Sequence, residues 1–356
     1  MLNTDLNSIL YQSLVNKKII LNEISEKDEK KILKISEEFL MSGYILNSVN
    51  FSKRNIFLHK KMIELNDLLV FRNSLMIREL SNISEKFIKN NIKFVVLKGM
   101  ALNTMKLYDP GIRFSRDIDI LVAKNQIKDA YNIMTGCGYK YINQAAQNRF
   151  KYFGDSHQIP PLVNDKKIIV ELHHRVSSPK FYNKCPLTDQ MFRDMQFIEN
   201  IPVPSFSCLV AHSLYHGLRH HNLSMGPIFL FDINKILNMN GTVDIDENII
   251  RKTGFLEDYK NILDIFYTLR SGHITKNIVS KINRLMVDFD WTHKDQQKVK
   301  LFSKIKSDRE KRFNFQMFAR KIKLIQYKYQ VNLISISFFR AFLVEIYNDL
   351  RKTIKF

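Results

Sequence analysis

Four short segments rich in β-branched and aromatic residues lie close together in a chain whose other segments have helical spacing. They cover residues 92–97, 116–122, 139–142 and 168–173, and each is too short for a helix of ordinary length. Helical spacing precedes them up to about residue 90 and resumes beyond about residue 186, where no further strand is expected. The pattern therefore predicts an α+β fold with a compact core between two helical regions.

The chain has 356 residues, enough for two domains, or for one domain with a large helical appendage, at roughly 150 residues each. We expect an N-terminal helical region over 1–90, an α/β core over 91–185 and a C-terminal basic helical region over 186–356. The composition, with 45% hydrophobic and 25% charged residues, is typical of a globular protein and excludes a disordered or collagenous chain.

The net charge of +20 favours a polyanionic partner such as RNA, a nucleotide or an anionic lipid surface. Residues 294–356 alone hold 16 Lys and Arg against 5 Asp and Glu, with phenylalanines and tyrosines between them. Such a segment is typical of a groove for unpaired nucleic acid. It is more often typical of an amphipathic helical region with a solvated basic face and an aromatic core, and both interpretations stay open.

The three cysteines, Cys137, Cys185 and Cys208, are widely spaced and predict neither a disulfide framework nor a thiolate zinc site. The N-terminus lacks the pattern of a signal peptide, and no run reaches the roughly 18 apolar residues of a membrane span. We therefore expect a cytoplasmic protein without a membrane span, for which peripheral contact with a membrane stays open.

Two aspartates alternate along the second predicted strand, in the sequence Asp-Ile-Asp-Ile-Leu-Val over 117–122. Because alternate residues of a strand share a face, Asp117 and Asp119 point the same way and Ile118 points into the core. A hard divalent cation is the partner that best allows both carboxylates to stay ionised. Glu171, on a later strand and on the same face as His173, supplies a third carboxylate.

A strand–Lys–Gly–helix turn precedes the aspartates. Backbone N–H groups at a helix start, a glycine that permits close approach and a lysine side chain are suited to bind phosphate. Lys98 and Gly99 provide this turn, and Arg113 and Arg116 flank the aspartates and can hold the outer phosphates of a nucleotide. Together these groups favour displacement at phosphorus.

These residues, with Gly138-Tyr139 after a predicted helix and the Glu171-Leu-His173 strand, resemble the uncharacterised nucleotidyltransferase family of the polymerase β-like superfamily, over about 70–240. The resemblance implies a small mixed β-sheet with flanking helices, and Mg²⁺ on Asp117, Asp119 and Glu171. Two ions are expected, with Mn²⁺ as the alternative. It also implies transfer of a nucleoside monophosphate from an NTP, such as ATP, with release of pyrophosphate. Met100 replaces the superfamily's small hydroxylated residue, which leaves triphosphate binding less defined.

Three histidines, His212, His216 and His220, recur at four-residue spacing on one predicted helix. The spacing suits a zinc site, but the interval lacks the glutamate of the metalloprotease pattern, and packed or hydrogen-bonding roles are commoner. The resemblance extends to this helix and to Asp232, so His212 and Asp232 are candidates to orient the acceptor or to accept its proton.

The acceptor is open at this level, with RNA and a sugar both consistent with the residues, and so is the oligomeric state. Two other functions stay open as well. One is a non-catalytic RNA-binding protein on a degenerate nucleotidyltransferase core, and the other is a membrane-peripheral factor in surface-polysaccharide assembly.

Overall fold

The computed structural model describes residue 14 and residues 19–21, 25–142, 157–176, 186–220, 228–239 and 244–271. The basic segment 294–356 lies outside these ranges, as does Cys185. The expectations that rest on that segment therefore stay predictions. The domain limits at residues 90 and 185 also stay predictions.

The N-terminal region is mainly helical, as predicted, and is built around one long helix. Its helices are α1 (Glu26–Phe39), α2 (Ser42–Ser48) and α3 (Ile56–Lys89). Helix α3 has 34 residues and is about 51 Å long at 1.5 Å per residue. Two short strands, β1 (Ile19–Leu21) and β2 (Val49–Phe51), pair in parallel. The helical spacing did not predict them, because strands of three residues are too short to show an alternation.

A five-stranded mixed sheet forms the core. Its strands are β3 (Phe94–Val96), β4 (Ile118–Val122), β5 (Lys140–Tyr141), β6 (Leu162–Val163) and β7 (Ile169–His173). The spatial order is β3-β4-β7-β6-β5, and only the β4–β7 pair is parallel. Strand β4 is buried throughout. The four predicted strand segments are confirmed, with observed limits shorter than the expected ones at one or both ends.

Two helices connect the first strands of this sheet. Helix α4 (Lys98–Thr104) follows β3 directly and packs on β4, whereas α5 (Ile127–Gly136) packs on β7 and α3. Gly138 follows α5 with φ +84°, a conformation that glycine adopts without steric cost and that commonly ends a helix. The helix predicted ahead of Gly138-Tyr139 is thereby confirmed.

The C-terminal region contains a β-hairpin that the sequence interpretation excluded. Strands β8 (Gln196–Ile198) and β9 (Ile201–Val203) pair antiparallel, so the expectation of no strand beyond residue 186 was wrong. The connection consists of Glu199 and Asn200, both with positive φ, which is the backbone conformation of a tight hairpin turn. A non-glycine pair in this conformation is hard to recognise from sequence alone.

The remaining described segments are helical. They are α6 (Pro186–Arg193), α7 (Phe206–Leu214), a π-helical turn (Tyr215–His220), α8 (Ile228–Leu237), α9 (Glu247–Lys252) and α10 (Leu256–Ser271). Helix α7 packs on α4 and α8, which brings the C-terminal region against the turn that follows β3. None of the helices in the described ranges combines the length and apolar character needed to cross a bilayer.

Candidate active site

Two carboxylates lie side by side on the only parallel strand pair of the described sheet. The register of β4 and β7 places Asp119 opposite Glu171, and residues paired in this way on neighbouring strands project to the same face. Asp119 is buried, with 2% of its surface exposed, whereas Glu171 is partly exposed. The strand pairing thus brings the predicted third carboxylate beside the second.

Asp119 accepts two hydrogen bonds on one carboxylate oxygen. Its Oδ1 lies 2.7 Å from Lys98 Nζ and 2.7 Å from His173 Nε2. Burial by itself would raise the pKa of Asp119, but the charge of Lys98 and the hydrogen bond from His173 outweigh it and hold the pKa far below its ordinary value. Asp119 is therefore ionised at neutral pH.

Asp117 differs from Asp119 in both position and ionisation. It immediately precedes β4, which begins at Ile118 rather than at the predicted residue 116. Burial, and then the negative charge of Asp119, raise its pKa to about 7. At neutral pH a substantial fraction of Asp117 is consequently protonated, and a cation bound nearby would favour the ionised form.

His173 joins the two strand carboxylates. Each of Asp119, Glu171 and His173 offers one ligand atom, and these atoms all lie within 4.8 Å of one another. His173 Nε2 is also 3.5 Å from Glu171 Oε2. Oxygen and imidazole ligands in this arrangement are suitable for a divalent ion. The sequence interpretation gave His173 no role, although the alternation along β7 put it on the same face as Glu171.

Lys98 occupies a strained backbone position at the predicted phosphate turn. It opens α4 with φ +52°, a left-handed conformation that costs a non-glycine residue about 1 kcal/mol or more. Gly99 follows, and a Cβ atom there would lie 2.4 Å from Ser115 Oγ and 2.9 Å from Arg113 Nη1. The absent side chain thus lets the segment before β4 pack closely against this turn.

Arg113 and Asp232, both predicted to bind the substrates, bind each other. Asp232 Oδ1 accepts from Arg113 Nε at 2.9 Å, and Oδ2 accepts from Nη2 at 3.0 Å. Tyr108 also donates to Asp232, at 3.1 Å. Burial would lower the pKa of Arg113, but the charge of Asp232 outweighs it, so the pKa is raised. This bidentate pair links the segment before β4 to α8.

Arg116 is exposed and donates to the backbone carbonyl of Glu38. No carboxylate within the described ranges pairs with it. Its charge is therefore available to a bound anion, in contrast to that of Arg113.

The predicted site residues lie around one cavity of about 320 Å³. It is lined by every predicted site residue, namely Asp117, Asp119, Glu171, Lys98, Gly99, Arg113, Arg116, His212 and Asp232. Side chains that had no predicted role also line it, among them Ser115, His157, Gln158 and Phe229. They come from segments without a recognisable motif, so only their spatial position identifies them.

Residues of α7, the π-helical turn and α8 form one wall of this cavity. His212 and His216 line it, with ring centroids 6.0 Å apart, while the side chain of His220 lies outside the described part of the chain. A π-helical turn is uncommon and is frequently found at functional sites. Gly217 in this turn contacts the Phe229 ring, since a Cβ atom there would lie 2.5 Å from it.

A family profile matches this chain and describes the same family that the motifs resemble. A profile of the family described as uncharacterised nucleotidyltransferase matches residues 26–255, which include all the residues that line the cavity. No curated protein matches the sequence. Among solved structures, an antigenic nucleotidyltransferase-like protein from Paracoccidioides brasiliensis matches with 14% identity and a TM-score of 0.32, over 55% of this chain and 91% of that chain.

Proposed function

This chain belongs to the uncharacterised nucleotidyltransferase family, and on that premise we propose that it transfers a nucleoside monophosphate from an NTP to an acceptor hydroxyl. The acceptor oxygen attacks the α-phosphorus, the bond from that phosphorus to the bridging oxygen breaks, and pyrophosphate leaves. The observation that carries the proposal is the pairing of Asp119 with Glu171 at a cavity that also contains Lys98 and Arg116.

We propose that Asp117, Asp119 and Glu171 hold Mg²⁺, with two ions expected. The donor chemistry supports this assignment, because carboxylate oxygens are the ligands that Mg²⁺ prefers. The raised pKa of Asp117 adds support, since a cation would relieve its repulsion with Asp119. When bound, the metal polarises the phosphate and neutralises charge that develops on the leaving group.

Lys98 and Arg116 are the cations that we assign to the triphosphate. Lys98 Nζ lies at the cavity, where it forms an ion pair with Asp119. The Lys98 side chain is 22% exposed, so the ammonium group can reach an incoming phosphate. We further propose that the N–H of Gly99 contributes to this binding. Arg113 contributes indirectly, because Asp232 already neutralises its charge and the pair holds the segment that precedes the carboxylates.

The acceptor is proposed to bind at the wall that contains His212 and His216. His212 is 4% exposed and lies on the helix that packs on α4. An imidazole near the attacking hydroxyl can orient it and accept its proton. Asp232 is less suited to this task, because Arg113 and Tyr108 already occupy its oxygens.

The test is incubation with each α-labelled NTP and Mg²⁺ in the presence of tRNA, total protein or a small-metabolite pool. The fraction that takes up label identifies the acceptor class. We expect Asp119→Asn to lower the rate by roughly 1,000-fold or more, because several kcal/mol of charge stabilisation would be lost.

The matched control is Asp129→Asn, the same chemical change at an exposed position on α5. It should transfer label at the wild-type rate. Wild-type turnover by a folded Asp119→Asn protein would contradict the proposal. Salt-sensitive RNA binding without transfer from any NTP would instead favour the RNA-binding alternative.

A further inference from the structure

We propose that His173 is a direct ligand of the metal ion held by Asp119 and Glu171, and that this site consequently prefers Mn²⁺ to Mg²⁺. The inference rests on the proposed function and extends it, because it assigns a nitrogen ligand to a site otherwise composed of carboxylates. Its basis is the position of one imidazole relative to two carboxylates.

The interatomic distances match the separations of ligands around one ion. Ligand atoms about 2.1 Å from a metal and at right angles to each other lie about 3 Å apart. His173 Nε2 lies 2.7 Å from Asp119 Oδ1 and 3.5 Å from Glu171 Oε2. All three ligand atoms lie within 4.8 Å of one another, so one ion can reach all of them with little movement of the side chains.

The sheet holds His173 in this position. Its backbone belongs to β7, where it pairs with Leu121 of β4, one alternation beyond the pair formed by Asp119 and Glu171. The residue is 3% exposed, so burial restricts the ring to few orientations. Glu171 and His173 are thus two ligands presented by one rigid strand.

The carboxylates are the hydrogen-bonding groups that orient the ring. Nδ1 of His173 is buried without a hydrogen-bond partner in the described part of the structure, whereas Nε2 contacts both carboxylates. The nitrogen that faces the carboxylates is therefore the one available to a metal. Binding requires that Nε2 present its lone pair, so the bound ring is neutral with its proton on Nδ1, and a ring that carries protons on both nitrogens releases the Nε2 proton to solvent as the ion enters.

A nitrogen ligand changes which ion binds best. Mg²⁺ favours oxygen ligands and retains several waters, whereas imidazole increases affinity for first-row transition ions. Mn²⁺ accepts both carboxylate and imidazole ligands. A site with two carboxylates and one imidazole is consequently expected to bind Mn²⁺ more tightly than Mg²⁺.

The experiment measures Mn²⁺ bound to the full-length protein without nucleotide, so that its result does not depend on activity. Electron spin-echo envelope modulation reports nitrogen directly bonded to Mn²⁺. We expect a ¹⁴N signal in the wild-type protein and its replacement by a ¹⁵N signal after labelling with ¹⁵N-histidine. Titration should show Mn²⁺ binding at least about tenfold tighter than Mg²⁺ binding.

His173→Gln should remove the nitrogen signal and weaken Mn²⁺ binding by about tenfold or more. The matched control is His157→Gln, because the His157 ring lies 5.5 Å from the His173 ring but is not one of the three grouped ligands. It should keep the signal. The ¹⁵N labelling needs no substitution, so it tests whether any histidine nitrogen binds the metal even if His173→Gln fails to fold.

Two contrary results separate this inference from the proposed function. Mn²⁺ bound without any nitrogen coupling would overturn the role of His173, while binding by the carboxylates would leave the proposed function in place. Failure of the protein to bind either Mn²⁺ or Mg²⁺, alone or with NTP, would overturn both.

Discussion

The cavity contains two ion pairs that differ in how completely each charge is buried and hydrogen-bonded. Arg113 and Asp232 form a bidentate pair in which both side chains are less than one tenth exposed, at 9% and 7%. Lys98 and Asp119 share a single contact of 2.7 Å, and the lysine is 22% exposed. The first pair has few unused hydrogen-bonding positions, whereas in the second the lysine side chain is partly exposed and Asp119 has an additional contact to His173.

This difference indicates a structural role for the Arg113–Asp232 pair and a role in substrate binding for the Lys98–Asp119 pair. A bidentate, fully buried pair is geometrically specific and costly to break. A lysine on one carboxylate oxygen is a compact charge on a flexible stem and can exchange partners. We infer that the Arg113 pair joins the core to the C-terminal helices and that the Lys98 pair is adjustable during substrate binding.

The largest predicted effect follows from breaking the structural pair. Asp232→Ala should lower the free energy of unfolding by about 3–5 kcal/mol, because Arg113 would remain buried without its counter-charge. Urea denaturation followed by circular dichroism measures the change. The double variant Arg113→Met/Asp232→Leu should recover much of the loss, since no buried charge remains unpaired. A loss below about 1 kcal/mol in the single variant would refute the structural role.

A smaller effect of opposite sign is predicted at Asp117. Burial and Asp119 raise its pKa to about 7, so the folded protein keeps this proton over a range in which the unfolded chain has released it. This group therefore makes the metal-free protein less stable as pH rises from about 4 to 7, with the cost complete above pH 7.

Asp117→Asn removes that cost. It should stabilise the metal-free protein at pH 8 by on the order of 1 kcal/mol, because partial exposure screens the interaction, and it should change stability much less at pH 4. Thermal unfolding at both pH values, with and without Mg²⁺, measures this. The same variant should lose stabilisation by Mg²⁺. Equal stabilisation at both pH values would show that ionisation of Asp117 is not the cause.

The smallest stability effect is predicted for Lys98→Met. Asp119 would retain its hydrogen bond from His173, so the free energy of unfolding should fall by about 1 kcal/mol or less. Affinity for a fluorescent NTP analogue should instead fall by roughly tenfold, which corresponds to about 1.4 kcal/mol of binding free energy. A loss of stability as large as that of Asp232→Ala would remove the distinction between the two pairs.

Much of the sheet could be predicted because the residues within each strand segment indicate a strand without reference to distant parts of the chain. The segments that became β3, β4 and β7 are rich in β-branched residues, and the alternation of Asp117, Ile118 and Asp119 follows from strand geometry alone. The β8–β9 hairpin was missed, since its turn uses Glu199 and Asn200 in positive-φ conformations without glycine. The π-helical turn after α7 likewise has no distinct sequence pattern.

The sequence by itself determined which chemistry-bearing groups occur and which of them share a strand face, because period-two alternation is a property of the backbone. It also determined the Lys98-Gly99 turn, which follows from a short apolar run that meets a helix start. The tertiary structure decided which groups become partners. Arg113 pairs with Asp232, which lies 119 positions further along the chain. His173 contacts Asp119 because of the register of two strands. Such pairings depend on how distant elements pack, and no local pattern in the chain encodes them.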